Sequence, residues 1–128
     1  MTVENDSVVD SPITTFYHNK TIFLTGATGY VGKYLLYKFL KSTKIEKIYA
    51  LIRRESNLSA TDRLSKLRGC DIFDTFEDKI FYDTIIPIEG DTSKPELGMS
   101  KDDIEKISSQ TDIVINCAAS TALRNDMK

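Results

Sequence analysis

Histidine occurs once in this chain and cysteine only twice, and no metal cluster or nucleophilic triad is visible in the sequence. The single histidine, His18, has no partner nucleophile and reads as a surface or loop residue. Cys70 and Cys117 lack metal-ligand spacing and no signal peptide accompanies them, so the expected compartment is reducing and cytoplasmic, without a disulfide. No apolar run approaches the roughly 20 residues of a membrane span, and the C-terminus carries no lipidation or peroxisomal signal. Charge of one sign is not in excess either. With 17 basic and 19 acidic side chains the net charge is -2, which excludes the broad basic surface of a nucleic-acid or membrane-surface protein. At 128 residues the chain is one small domain with a modest core, and any partner must be argued from its site.

What the chain does have is Ile22-Phe-Leu-Thr-Gly-Ala-Thr-Gly-Tyr-Val-Gly32. An apolar run, Ile22 to Leu24, reads as a buried strand and breaks into Gly26, Gly29 and Gly32, after which Val31, Leu35, Leu36, Phe39 and Leu40 recur at helical spacing. Strand, glycine loop and helix in that order make a phosphate cradle. Gly26 turns the chain off the strand, Gly29 lets backbone approach a pyrophosphate, and Gly32 lets the helix pack close. Backbone N–H groups and the helix dipole then face the anion.

The rest of the chain alternates strand and helix. Residues 1 to 12 are polar and acidic and read as a disordered leader, leaving 13 to 128 as the folded part. Ile48 to Ile52 is a continuous apolar run suited to a strand covered on both faces, followed directly by Arg53 and Arg54. Ser59 and Asp62 form a capping box that opens a helix running to about Gly69, and a less regular segment covers 72 to 81. A third strand, 84 to 88, contains Pro87, which cannot donate to a ladder and so belongs at an edge. Gly90, Asp91 and Thr92 turn the chain, Ser100 and Asp103 cap a short helix, and Asp112 to Asn116 forms a fourth strand leading into Cys117, Ala118 and Ala119. This pattern predicts an α/β fold, an incomplete Rossmann-type doubly wound parallel sheet of order 3-2-1-4, with the proline strand at its edge.

In such a sheet the second strand ends over the adenosine ribose. A carboxylate there pairs with the 2′-hydroxyl of NAD, whereas an arginine accepts the 2′-phosphate of NADP. Arg53 and Arg54 hold that place and Glu46 lies at the opposite end of the strand, so NADP(H) is favoured over NAD(H), although Glu55 would repel the phosphate. Asp91 is placed to accept from the adenine amino group or to cap its own turn. Cys117, Ala118 and Ala119 offer small side chains against ribose and nicotinamide. Two Tyr-x-x-x-Lys matches, Tyr34 with Lys38 and Tyr37 with Lys41, lie on the helix that starts at the pyrophosphate, away from any nicotinamide, and read as surface pairs. No catalytic residue is assigned.

From about Phe16 onward the chain resembles the N-terminal, NAD(P)-binding part of the fatty acyl-CoA reductases, extended short-chain dehydrogenase/reductases related to thioester-reductase domains. The resemblance rests on Lys20 to Lys33, Ile48-Tyr-Ala-Leu-Ile-Arg53, Arg63-Leu-Ser-Lys-Leu67, Lys79-Ile80, Pro87-Ile-Glu-Gly-Asp91, Leu97-Gly-Met-Ser100 and Asn116-Cys-Ala-Ala-Ser120. It implies that Gly26, Thr28, Gly29, Tyr30, Val31 and Gly32 surround the pyrophosphate. Arg53, with Arg54, would meet the 2′-phosphate, Asp91 and Thr92 the adenine, and Cys117 to Ala119 the ribose. It also implies NADPH-dependent reduction of long-chain acyl thioesters to alcohols, with the family's Ser/Thr, Tyr and Lys set and its acyl-binding part beyond these residues. Acyl-CoA is then a partner only once those segments complete the chain. By the same resemblance, a membrane-associated or peroxisomal location is the alternative to the cytoplasmic one. The competing expectations are a non-catalytic nucleotide- or partner-binding module and a nonfunctional truncated fragment. Residues 113 to 115 are expected to lie at an open edge and to pair with another copy or a complementary fragment.

Overall fold

A computed structural model describes residues 12–117. All five residues of β1 (Thr21–Thr25) are buried, because this strand has a neighbour on each side and helices over both faces. It pairs in parallel with β2 (Lys47–Ile52) and with β4 (Ile113–Asn116), and β2 pairs in parallel with β3 (Ile85–Glu89). The sheet order is therefore β3-β2-β1-β4, as expected. Pro87 stands opposite Ala50 in β3, which among the described residues has a neighbouring strand on one side only.

Alternate residues of these strands feed two cores. Ile22, Leu24, Ile48, Ala50, Ile52 and Ile85 point to one face, where they meet Leu36 and Phe39 of α2 (Tyr30–Ser42) and Leu64 and Leu67 of α3 (Ala60–Arg68). The face is completed by Phe73 and Phe81, the latter in α4 (Asp78–Thr84). Phe23, Tyr49, Leu51 and Ile88 point the other way, to Ile107 of α5 (Lys101–Gln110). There the Tyr49 hydroxyl donates to Gln110 Oε1, and burial pushes the phenol above its ordinary pKa. Among the described residues no helix is long and apolar enough to cross a membrane.

Two local features depart from the expectations. Pro12, assigned to the leader by composition, begins a short helix, α1 (Pro12–Phe16), where its fixed φ and missing N–H suit a first helical position. Tyr17 follows this helix and packs edge-on against Phe39 at 5.1 Å; residues 1–11 lie outside the described residues. The segment read as irregular contains a 3₁₀ turn (Asp71–Phe73) and α4. Seven residues with one buried position, Phe81, and no side-chain N-cap leave too little period to see. In β4, at the edge of the described sheet, Ile113 and Ile115 pack on the larger core and Val114 is 66% exposed.

Candidate functional site

The glycine loop is built at the carboxyl end of β1. Gly26 takes a positive φ of 77°, and the Gly29 N–H donates to its carbonyl at 3.1 Å, closing a tight turn into α2. A Cβ on Gly32 would lie 2.0 Å from the Gly26 oxygen and 2.9 Å from Ala27 Cα, so this position holds helix against loop and admits no side chain. Gly29 differs. A Cβ there would meet only the Gly26 oxygen, at an ordinary 3.4 Å, so the fold does not require glycine here. No side chain caps α2, leaving its first-turn N–H groups to an external anion. An open loop with an uncapped helix N-terminus fits a pyrophosphate. Tyr30 and Val31 are exposed on that first turn.

Beside the loop lies an arginine corner. Arg53, just past β2, places Nη2 3.4 Å from Glu55 Oε2. Arg63, from α3, donates through Nη1 to the Arg53 carbonyl at 2.5 Å and through Nη2 to Thr28 Oγ1 at 3.4 Å. The same Nη2 stands 3.7 Å from Glu55 Oε1. Arg63 thus ties the glycine loop to the end of β2 and adds a second guanidinium there. Thr28, Glu55 and Arg63, together with Lys33, Lys66 and Cys70, border an open cleft of about 230 Å³.

Arg54 is directed elsewhere. Its Nη1 lies 3.9 Å from Glu89 Oε1, at the end of β3, and Glu89 also accepts from the Ala60 N–H at the start of α3. Asp91 closes its own turn: Oδ1 accepts from the Ser93 N–H at 2.9 Å and from the Ser93 hydroxyl at 2.7 Å. Those two bonds hold its carboxyl below the usual range, with smaller help from Arg53 and Lys94. Thr92 is exposed in the same turn. At the opposite side of the loop, the Thr25 hydroxyl donates to Asn116 Oδ1 at 2.6 Å, joining the carboxyl ends of β1 and β4. The Cys117 N–H continues that pairing by donating to the Thr25 carbonyl at 3.0 Å. Ala118 and Ala119 lie outside the described residues.

The structure therefore gathers Gly26 to Gly32, Arg53 and Cys117 along one edge of the sheet, and sets Arg54 and Asp91 at its β3 end. Arg63 is the residue that sequence reasoning left without a role. The Ser59–Asp62 capping box is complete, at 3.1 and 3.2 Å, and fixes where α3 starts. A wheel anchored on buried Leu64 and Leu67 puts Arg63 at the margin of the buried stripe, but nothing local shows that it reaches Thr28. The two Tyr–Lys pairs fall on α2 as expected. Lys41 Nζ donates to the Tyr37 hydroxyl at 3.0 Å, and Tyr37 lies about 12 Å along the helix from its N-terminus. Among the described residues no group of three or more His, Cys, Asp or Glu could hold a metal ion.

A family model described as "Male sterility protein", an NAD-binding family, matches residues 24–128. The chain is 33% identical over 116 residues to fatty acyl-CoA reductase 1 of Homo sapiens, covering 88% of this chain and 22% of that protein. It is 34% identical over 112 residues to fatty acyl-CoA reductase 2 of Mus musculus, covering 85% and 22%. The chain thus spans about 22% of the length of the curated relatives it matches. Among solved structures it is similar to the reductase domain of a nonribosomal peptide synthetase from Mycobacterium tuberculosis, with TM-score 0.65, 28% identity, and 81% and 25% of the two chains covered. It is also similar to the terminal R domain of the myxalamid biosynthetic pathway, with TM-score 0.63, 26% identity and coverage of 81% and 26%.

Proposed function

This chain belongs to the NAD-binding male sterility protein family and carries its nicotinamide-dinucleotide-binding fold, and on that premise we propose that it is the NADP(H)-binding part of a fatty acyl-CoA reductase-like protein. The observation that supports NADP(H) is the pair of guanidiniums, Arg53 and Arg63, which share Glu55, with Arg63 also reaching Thr28 of the glycine loop. Two planar forks at the ribose end of the cradle suit a 2′-phosphate, which a lone ribose hydroxyl would not need. In this reading the loop N–H groups and the α2 N-terminus hold the pyrophosphate, and Arg53 and Arg63 hold the 2′-phosphate. Asp91, anchored by Ser93, shapes the adenine end, while Cys117 faces ribose and nicotinamide. The bound NADPH supplies hydride for reduction of an acyl thioester. The chain's own residues orient the dinucleotide along the carboxyl edge of β1 and β4.

Titration calorimetry on the purified chain tests the cofactor assignment. NADPH is expected to bind at least about tenfold more tightly than NADH, and Arg53→Ala to lose about 1.5 to 3 kcal/mol of NADPH binding while leaving NADH little changed. Equal affinities of the native chain for the two cofactors would sink the assignment.

A further inference from the structure

Glu55 is out of place at a phosphate site, and its geometry gives it a use. Its two oxygens divide between the two arginines, Oε2 toward Arg53 at 3.4 Å and Oε1 toward Arg63 at 3.7 Å. Its backbone is locked. The Glu55 N–H donates to the Leu58 carbonyl at 3.0 Å and the Leu58 N–H returns to the Glu55 carbonyl at 2.8 Å, closing a turn in which Ser56 takes a left-handed φ of 53°. A non-glycine residue in that region is strained, so the turn is held by its surroundings rather than by local preference. It presents a carboxylate between two guanidiniums at the mouth of the cofactor cleft.

We propose that Glu55 is an internal stand-in for the 2′-phosphate, a carboxylate that keeps Arg53 and Arg63 in place in the free protein and that the phosphate displaces on binding. The inference rests on the NADP(H) reading above. Both contacts are longer than the roughly 2.7 to 2.9 Å of a well-made charge-assisted hydrogen bond, and Glu55 is half exposed, so the clamp is weak and readily exchanged. A phosphate brings nearly two negative charges and three oxygens to the same two forks and outcompetes one carboxylate. Since a phosphate and a carboxylate repel each other there, Glu55 must swing aside. NADH, with no phosphate, leaves the clamp intact, and its ribose 2′-hydroxyl can donate to Glu55. Glu55 therefore penalises NADPH alone and sets the ratio between the two cofactors.

The test is calorimetric binding of NADPH and NADH to the full chain, to Glu55→Gln and to Glu55→Ala, the second variant removing the charge without adding an amide. Both are expected to bind NADPH about three- to tenfold more tightly, and NADH equally or more weakly. If the native chain prefers NADPH but neither variant binds it more tightly, the stand-in role is overturned and the cofactor reading stands. If the native chain shows no preference, the cofactor reading fails and this inference fails with it.

Discussion

At the residue scale, the three glycines of the loop carry different requirements that one motif conceals. Gly32 is demanded by packing, since a methyl group there would sit inside the Gly26 carbonyl. Gly29 is not demanded by packing; in the proposed reading it lets the pyrophosphate approach. Gly32→Ala is therefore expected to destabilise the fold by more than about 2 kcal/mol, the overpacking penalty falling on backbone that cannot yield. Gly29→Ala should leave stability within about 1 kcal/mol and lower dinucleotide affinity about tenfold or more, because its methyl faces the pyrophosphate. Chemical denaturation alongside calorimetry separates the two. A Gly29→Ala protein that binds as well as the native chain would mean that the cradle is not used. The spacing of these residues was legible in the sequence, and so was Arg53, which directly follows its strand. Arg63 was not, because its reach to Thr28 spans 35 positions and depends on how α3 sits against the glycine loop.

At the element scale, strands and long helices were legible because burial writes a period into them. Leu36 and Phe39 in α2, and Leu64 and Leu67 in α3, are such marks. The segment from 70 to 84 has none of comparable strength; besides the buried Phe73 and Phe81, it is held by one side chain supplied from outside. Arg68 donates to the Phe73 carbonyl at 3.0 Å and to the Phe76 carbonyl at 2.6 Å, and lies 5.4 Å from the Phe81 ring centroid. It also pairs with Asp78 at 3.0 Å, but Asp78 is 79% exposed. An exposed partner contributes at most about 1 kcal/mol, whereas the Phe73 carbonyl keeps the Phe76 N–H as a donor at 3.1 Å, so that losing Arg68 falls mainly on the Phe76 carbonyl and costs about 1 to 3 kcal/mol. Arg68→Ala is thus expected to destabilise the chain by about 1 to 3 kcal/mol and Asp78→Ala by less than about 1 kcal/mol in urea unfolding. Equal losses would show that the ion pair, rather than the carbonyl bonds, orders this connection. Such an arginine cannot be told from a solvated one by its neighbours in sequence.

At the scale of the whole molecule, the strand order followed from alternation together with one proline, and both agree with the observed β3-β2-β1-β4 sheet. The two edges of that sheet are unlike. At β3, Pro87 removes a donor, which blunts the edge against pairing. At β4 the residues are Ile113, Val114, Ile115 and Asn116, none of them charged, and among the described residues the only strand beside them is β1. Val114 adds an apolar side chain that is 66% exposed on the α5 side of the sheet. An uncharged apolar edge is a template for another strand. The isolated chain is therefore expected to associate through β4, as a dimer or as larger species. Val114→Lys should shift it toward monomer by placing a charge on that edge, at little cost to a fold that does not bury this side chain. Light scattering of both proteins over a concentration series is the measurement. A native chain that stays monomeric throughout, with no gain in solubility from the lysine, would mean that β4 is covered in solution and that the edge is not a pairing surface.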